Sequence, residues 1–136
     1  MAELSKGGVR WLVDGMNVIG ARPNRWWKDR PRAMRELVVE LAAYTRATGE
    51  AVGVVFDGRP VELPQEREQL MEVAFAGHGR ANAADDEIAR HVAGDHDPST
   101  LRIVTSDREL AARGRERGVE VVGAGSFRRR LERAVE

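Results

Sequence analysis

The stretch that most constrains the fold is residues 9–20, with the sequence VRWLVDGMNVIG. Its apolar run, residues 11–13, is continuous rather than alternating, which predicts a strand buried on both faces of a parallel sheet. The run stops at Asp14 and Gly15, and open α/β sheets bind ligands at the carboxyl ends of such strands. Asn17 follows closely enough to orient Asp14 or to share a ligand with it. Taken alone, Asp14 is equally consistent with a solvated acid at a strand end.

The same kind of apolar run recurs along the chain and alternates with helical patterns. Further strands are predicted at residues 51–56, 70–76, 101–104 and 119–122. Helices are predicted from the capping residue Asp29 to Gly49, at 83–92 after Asn82, at 108–117 and at 127–135 after Ser126, while 59–69 is predicted as a loop with a short helical turn. This alternation predicts a single three-layer α/β/α domain with a mostly parallel sheet of about five strands. We expect residues 1–8 to form a frayed N-terminus.

The composition excludes several classes of protein. The chain has 136 residues, no cysteine and a formal net charge of zero. The lack of cysteine excludes disulfides, thiolate metal sites and a cysteine nucleophile, and it fits a reducing cytoplasm. No apolar stretch has the length of a membrane helix, and the N-terminus lacks the apolar region of a signal peptide. We therefore expect a cytoplasmic protein that does not associate with membranes.

Acidic residues recur where the predicted strands end. Asp14, Asp57 and Asp107 follow three apolar runs, and Asp85 and Asp86 lie in the first turn of a predicted helix. The ends of parallel strands lie along one edge of a sheet, so these acids can converge. Clustered carboxylates repel one another in a desolvated cleft, and oxygen-only ligands suit Mg²⁺ or Mn²⁺. Such an ion activates water and stabilises charge on phosphate.

We expect Asp85 and Asp86 to point in different directions, since neighbouring helical residues point about 100° apart. We therefore assign Asp85 as the first metal ligand from this helix. Asp86 is a second ligand or a water-orienting group, and the alternative is an exposed acid that stabilises the helix dipole.

Other classes of protein that act on phosphate groups are excluded, because residues that they require are missing. No GxxxxGK loop is present, and no lysine follows a late strand as a phospho-receiver domain requires. Met16 stands where haloacid-dehalogenase phosphatases carry a second aspartate. His78, His91 and His96 lack zinc-ligand spacing, although His78 lies in a glycine loop from which it could touch substrate.

Four motifs taken together resemble a known family. They are LVDGMNVIG at residues 12–20, VFDG at 55–58, ADD at 84–86 and TSD at 105–107. This series is similar to the YacP-like branch of NYN-domain proteins, which are relatives of PIN-domain nucleases. The resemblance implies a PIN-like fold and a metal-dependent endoribonuclease activity.

The resemblance also implies roles for individual residues. Asp14, Asp85 and Asp107 would hold the metal, and Asn17 and Asp86 would complete the catalytic set. Asp57 belongs to the VFDG motif and is either a further metal ligand or a supporting residue outside the coordination shell.

For RNA binding the sequence offers a basic loop that contains aromatic residues. Arginine and aromatic planes stack on bases, and basic side chains neutralise phosphates. The candidates for RNA contact are Arg22, Arg25, Trp26, Lys28 and Arg108. We expect Trp27 to pack into the core. We expect the arginines of the last helix, Arg128, Arg129, Arg130 and Arg133, to form a solvated face with Glu132 and Glu136.

Three functional hypotheses follow. The first is a Mg²⁺- or Mn²⁺-dependent endoribonuclease acting on RNA, with ribosome-associated mRNA as one candidate substrate. The second is a catalytically inactive RNA- or ribosome-binding module on the same fold, and the third is a DNA nuclease or phosphatase. The intact acidic set favours an enzyme, because a protein that only binds RNA gains nothing from acids clustered near phosphates.

Overall fold

The computed structural model describes residues 8–63, 70–77 and 83–134. The strands β1 to β5 are Arg10–Asp14, Ala51–Asp57, Met71–Ala76, Leu101–Val104 and Glu120–Val122. The helices α1 to α5 are Gly15–Gly20, Arg30–Thr48, Ala83–Gly94, Arg108–Glu116 and Ala124–Ala134, with short 3-10 turns at Trp26–Lys28 and Pro98–Thr100. Within this part of the chain, no helix is long and apolar enough to cross a membrane.

The strands form one parallel sheet in the order β3-β2-β1-β4-β5. All five residues of β1 are buried, as the continuous apolar run predicts for a strand covered on both faces. The chain adds β2 and β3 on one side of β1 and then β4 and β5 on the other, so the strand order reverses between β1 and β4. A crevice at the carboxyl ends of the strands is expected at this reversal. The predicted α/β class and parallel sheet are confirmed.

Helices pack on the two faces of the sheet around separate apolar clusters. On one face, Trp11 of β1 packs against Tyr44 of α2 and Phe127 of α5, with ring centroids 6.3 and 5.0 Å from that of Trp11. The polar atoms of this cluster are satisfied, since Glu50 accepts hydrogen bonds from the Trp11 indole (2.8 Å) and the Tyr44 hydroxyl (2.7 Å). On the other face, α3 and α4 bury Ile88, Val92, Leu110 and Ala111.

The long helix α2 begins and ends as predicted. The Asp29 side chain accepts a hydrogen bond from the backbone N–H of Arg32 (3.2 Å), and Pro31 lies in the first turn. Gly49 ends the helix in the left-handed conformation, with φ of 71°.

Two helical boundaries differ from the prediction. From the sequence, no helix is predicted directly after Asp14, but residues 15–20 form α1 because Val18 and Ile19 are buried against the core, and burial outweighs weak helix propensity. The last helix begins at Ala124 rather than after Ser126. The Ala124 N–H donates to the Ser106 Oγ at 3.2 Å, a contact between distant segments that no local signal indicates.

Two side chains also differ from the prediction in their exposure to solvent. Trp27 is 59% exposed, whereas the neighbouring Trp26 packs against the core, so the expected core position for Trp27 is wrong. Arg128 is 7% exposed rather than part of a solvated face. Its Nη1 donates to both carboxylate oxygens of Glu40 at 2.7 and 2.8 Å, and this pairing makes the burial of its charge possible.

Some predictions lie outside the described residues. These are the cap at Asn82, the loop histidine His78, the frayed residues 1–7 and residues 64–69 of the predicted loop.

Gly15, the first residue of α1, is packed closely against the Phe56 ring, and this contact predicts how a substitution there affects stability. A Cβ atom at Gly15 would lie 2.5 Å from the Phe56 ring, so Gly15→Ala should lower the free energy of unfolding by about 1–3 kcal/mol through overpacking. Gly20→Ala is the matched control, because the nearest atom to its Cβ would be 3.9 Å away. Urea denaturation measures both variants, and equal stability of the two would contradict this packing.

Candidate active site

Asp14 is buried at the carboxyl end of β1, with 1% of its surface exposed. Helix α1 begins at the next residue, which brings Asn17 back over the strand end. The Asn17 Nδ2 donates to the Asp14 Oδ2 at 2.8 Å, and the Thr105 Oγ1 donates to the same oxygen at 3.3 Å. Two neutral donors therefore fix the orientation of the Asp14 carboxyl group.

The Asn17 amide also joins the two segments on either side of the strand reversal. Its Oδ1 accepts the backbone N–H of Ser106 at 2.9 Å, so one side chain holds both Asp14 and the loop that follows β4. Within that loop the Asp107 N–H donates to the Thr105 Oγ1 at 3.1 Å. These bonds fix the loop that carries Asp107 relative to Asp14.

Asp57 anchors the helix that carries Asp85 and Asp86. Its Oδ1 accepts the backbone N–H of Ala84, in the first turn of α3, at 2.8 Å. A carboxylate in this position satisfies one of the unpaired N–H groups of a helix N-terminus and interacts favourably with the helix dipole. The Asp57 side chain thus holds the backbone of Ala84, the residue that precedes Asp85.

The carboxyl groups of Asp14 and Asp85 share a hydrogen bond that affects the pKa of each. Burial raises the pKa of Asp14 to about 7, and the charge and hydrogen bond of Asp85 add to the effect, partly offset by the donors Asn17 and Thr105. The pKa of Asp85 is also raised, first by desolvation and then by the charge of Asp107. The hydrogen bond between the two carboxyls raises the pKa of Asp14 and lowers that of Asp85. Both carboxyl groups therefore keep their proton to a higher pH than an ordinary aspartate does.

The predicted acids converge electrostatically on Asp85. The charges of Asp107, Asp57 and Asp86 all raise its pKa, so the three sequence segments contribute to one negative field. Like charges held this close are the arrangement that a bound cation or a retained proton must relieve.

A cavity of about 140 Å³ opens beside these acids, between the first turns of α3 and α4. Its lining consists of Asp85, Asp86, Asp107, Glu109, Leu110 and Arg113. The Asp107 Oδ1 caps α4 by accepting the Leu110 N–H at 2.8 Å. Arg113 is the one basic side chain in this lining, and its Nη2 donates to Glu109 at 3.2 Å.

Sequence reasoning missed Arg113 and favoured Arg108 as the cation near the chemistry. Arg108 is the first residue of α4 and is exposed. The available signal was helical spacing: Arg113 lies four residues after Glu109, so the two share a helix face.

The donor chemistry of the cavity fits a hard divalent cation, because all its acidic groups offer oxygen. Among the described residues, however, no group of three acidic or histidine side chains already stands in an arrangement that could hold a metal ion. Asp14 and Asp85 are in contact, whereas the Asp107 carboxylate is engaged at the start of α4. The structure therefore contains two acids of the predicted metal set together and the third beside them.

Besides Arg108, which is exposed on α4, the residues predicted to contact RNA separate into two groups. Arg25, Trp26 and Lys28 line a second groove of about 400 Å³. Arg22 is half-buried and pairs with Glu40 (3.2 Å) and Glu132 (3.5 Å), so its charge is already compensated within the protein.

Comparison with known proteins gives consistent matches. The family model described as the YacP-like NYN domain matches residues 11–136. The crystal structure of Rae1 (YacP) from Bacillus subtilis is similar with a TM-score of 0.71 and 29% identity, over 91% of this chain and 74% of that one. Its W164L mutant is similar with a TM-score of 0.72 and 26% identity, over 92% of this chain and 75% of that one. No curated protein sequence matches the chain.

The raised pKa of Asp14 predicts how stability depends on pH. Between its ordinary value of 3.8 and about 7, the folded protein holds a proton that the unfolded chain has released. Raising the pH through this window should therefore destabilise the wild type relative to Asp14→Asn, by roughly 1–4 kcal/mol in total, since one pKa unit is worth about 1.4 kcal/mol.

Urea denaturation at pH 4.5, 6 and 7.5 measures this difference, and Glu116→Gln, at an exposed position, is the control. A difference between wild type and Asp14→Asn that does not change with pH would show that Asp14 titrates normally.

Proposed function

Because this chain belongs to the YacP-like NYN domain family, whose fold is of the nuclease type, we propose that it is a divalent-metal-dependent endoribonuclease. The reaction is hydrolysis of an RNA phosphodiester bond, with Mg²⁺ or Mn²⁺ as cofactor. Ribosome-associated mRNA is the candidate source of substrate that the family resemblance suggests.

The observation that carries this proposal is the pair formed by the buried Asp14 and the half-buried Asp85 at the strand reversal. Burying a carboxylate costs free energy, and placing a second carboxyl group against it adds repulsion. Asn17 and Thr105 hold Asp14 in this unfavourable position rather than letting it turn to solvent. A protein that only binds RNA has no use for such an arrangement next to a polyanion, whereas a metal-dependent hydrolase requires it.

In this proposal Asp14, Asp85 and Asp107 would hold the cation, which, when bound, supplies an activated water and neutralises charge on the phosphate. Asn17 keeps Asp14 aligned and fixes the loop before Asp107. Asp86 lines the same cavity and would accept a proton from the attacking water. Asp57 acts as a positioning residue by holding the first turn of α3.

Arg113 supplies the positive charge that a phosphate needs when it enters an acidic cavity. Its present partner, Glu109, is exposed, so exchanging this weak surface pair for a phosphate costs little. A guanidinium binds phosphate through two parallel hydrogen bonds, which also orients the scissile group. Arg113 therefore offsets the repulsion between the substrate and the acids.

Replacing Asp85 by asparagine tests the proposal. Asp85→Asn should reduce Mn²⁺-dependent cleavage of a labelled RNA by about 100-fold or more, because even supporting residues of metal sites are typically worth 10–100-fold. Its affinity for RNA should stay equal or rise slightly, since the substitution removes negative charge. Cleavage rates and anisotropy titrations at fixed salt measure the two quantities.

Glu116→Gln is the control and should cleave like the wild type, and chelation should stop cleavage by both. A wild type that binds RNA but does not cleave it with Mn²⁺ or Mg²⁺ would favour the RNA-binding module. Cleavage of DNA in preference to RNA of the same sequence would favour the DNA nuclease.

A further inference from the structure

Trp27 is an indole placed where solvent reaches it. Among the described residues the large hydrophobic side chains that are exposed are Trp27, at 59%, and Val39, at 53%. Trp27 is the central residue of the 3-10 turn at Trp26–Lys28. Its ring stands edge-on to Trp26, with centroids 6.1 Å apart and planes at 86°, and Trp26 is packed against the core. One side of the Trp27 ring is thus supported, while the remainder is open.

The turn that presents Trp27 is held in a defined conformation. Its N-terminal residue, Arg25, has φ of 58°, the one positive φ among the described non-glycine residues. The Lys28 N–H donates to the Arg25 carbonyl (3.0 Å), and the Asp29 N–H donates to the Trp26 carbonyl (3.1 Å). Arg25, Trp27 and Lys28 are therefore exposed on a turn with fixed backbone hydrogen bonds.

The lining of the groove beside Trp27 has a net positive charge, because it contains Arg25, Lys28 and Arg32 against Asp29 and Glu36. Its two acidic residues are engaged, since Asp29 caps α2 and Glu36 pairs with Arg32 at 3.4 Å. Arg25 and Lys28 line the same groove, are exposed, and form no ion pair with any described residue. The groove of about 400 Å³ thus combines two available cations with the ring of Trp26, and Trp27, which does not itself line the groove, stands edge-on to that ring.

The groove lies toward the same edge of the sheet as the acidic cavity. Arg30, the first residue of α2, donates from its Nη2 to the carbonyl of Asp57 at 3.4 Å. The side chain of Asp57 in turn accepts the N–H of Ala84, next to Asp85. One residue at the end of β2 therefore contacts both the helix that borders the groove and the helix that carries the acids.

We propose that Trp27, Arg25 and Lys28 form a binding site for an unpaired nucleotide of the RNA substrate. The site, which rests on the proposed endoribonuclease function, stacks a base on the Trp27 ring while the two cations bind the adjoining phosphates. In a duplex the faces of the bases are covered by their neighbours, so this site selects single-stranded segments. The acidic cavity supplies the chemistry, and the groove determines which RNA reaches it.

The experiment measures binding of a fluorescein-labelled single-stranded RNA oligonucleotide and of a matching RNA duplex by anisotropy. Trp27→Ala should weaken binding of the single strand by about 5- to 100-fold, since stacking of one base is worth that much, and change duplex binding by less than about 2-fold. The control is Val39→Ala, which truncates the other large apolar side chain that is exposed. Because Val39 does not line the groove, this variant should bind the single strand and the duplex like the wild type.

A second variant separates stacking from loss of structure. Trp27→Phe should keep single-strand affinity within about 3-fold of the wild type, because a phenyl ring still stacks, but should lose most of the tryptophan quenching that RNA causes. Melting temperatures of all variants establish that they are folded.

The inference and the proposed function fail in different ways. Unchanged single-strand affinity in a Trp27→Ala protein that still cleaves RNA would overturn this site and leave the exposed indole to a protein partner. Trp27-dependent binding by a wild type that cleaves nothing would support the site and overturn the endoribonuclease proposal.

Discussion

At the edge of the sheet where the strands end, the arrangement of side chains depends on one buried carboxyl group, that of Asp14. Asp14 lies at the end of the central strand, where neither solvent nor a basic side chain balances its charge, and its contacts are two neutral donors and a second acid. Burial and that second acid raise its pKa to about 7. The fold maintains an arrangement that costs free energy at neutral pH, and such sites are typical of function rather than of structural support.

Three hydrogen bonds explain how distant segments are held around this group. Asn17 binds both Asp14 and the backbone of Ser106, and Asp57 binds the first turn of α3. The two bonds of Asn17 join the ends of β1 and β4, and the bond of Asp57 joins the end of β2 to α3, so the relative positions of the acids depend on a few uncharged or capping contacts. Because the strand order reverses between β1 and β4, the same edge leaves a crevice into which a substrate can enter.

The sequence predicts the sheet and its acidic edge well, because both arise from local patterns. A continuous apolar run such as residues 11–13 indicates a strand covered on both faces, and an acid directly after it must lie at the strand end. What remained unpredicted depends on partners far away in the chain. Arg128 is buried because Glu40 lies opposite, and α1 is helical because Val18 and Ile19 meet the core. Which of two adjacent tryptophans turns inward is likewise decided by packing, not by sequence pattern.

In the proposed function, Asp14 holds a proton near neutral pH and gives it up when a divalent cation binds. The most direct measurement is a pH titration of the Asp14 carboxyl carbon by NMR in ¹³C-labelled protein, with and without Mg²⁺, which is diamagnetic. We expect the Asp14 pKa to lie near 7 without Mg²⁺ and to fall by about 2 units or more with saturating Mg²⁺, as is usual for a group next to a bound opposite charge. A pKa near 4 without Mg²⁺, or a raised pKa that Mg²⁺ leaves unchanged, would contradict this role of Asp14.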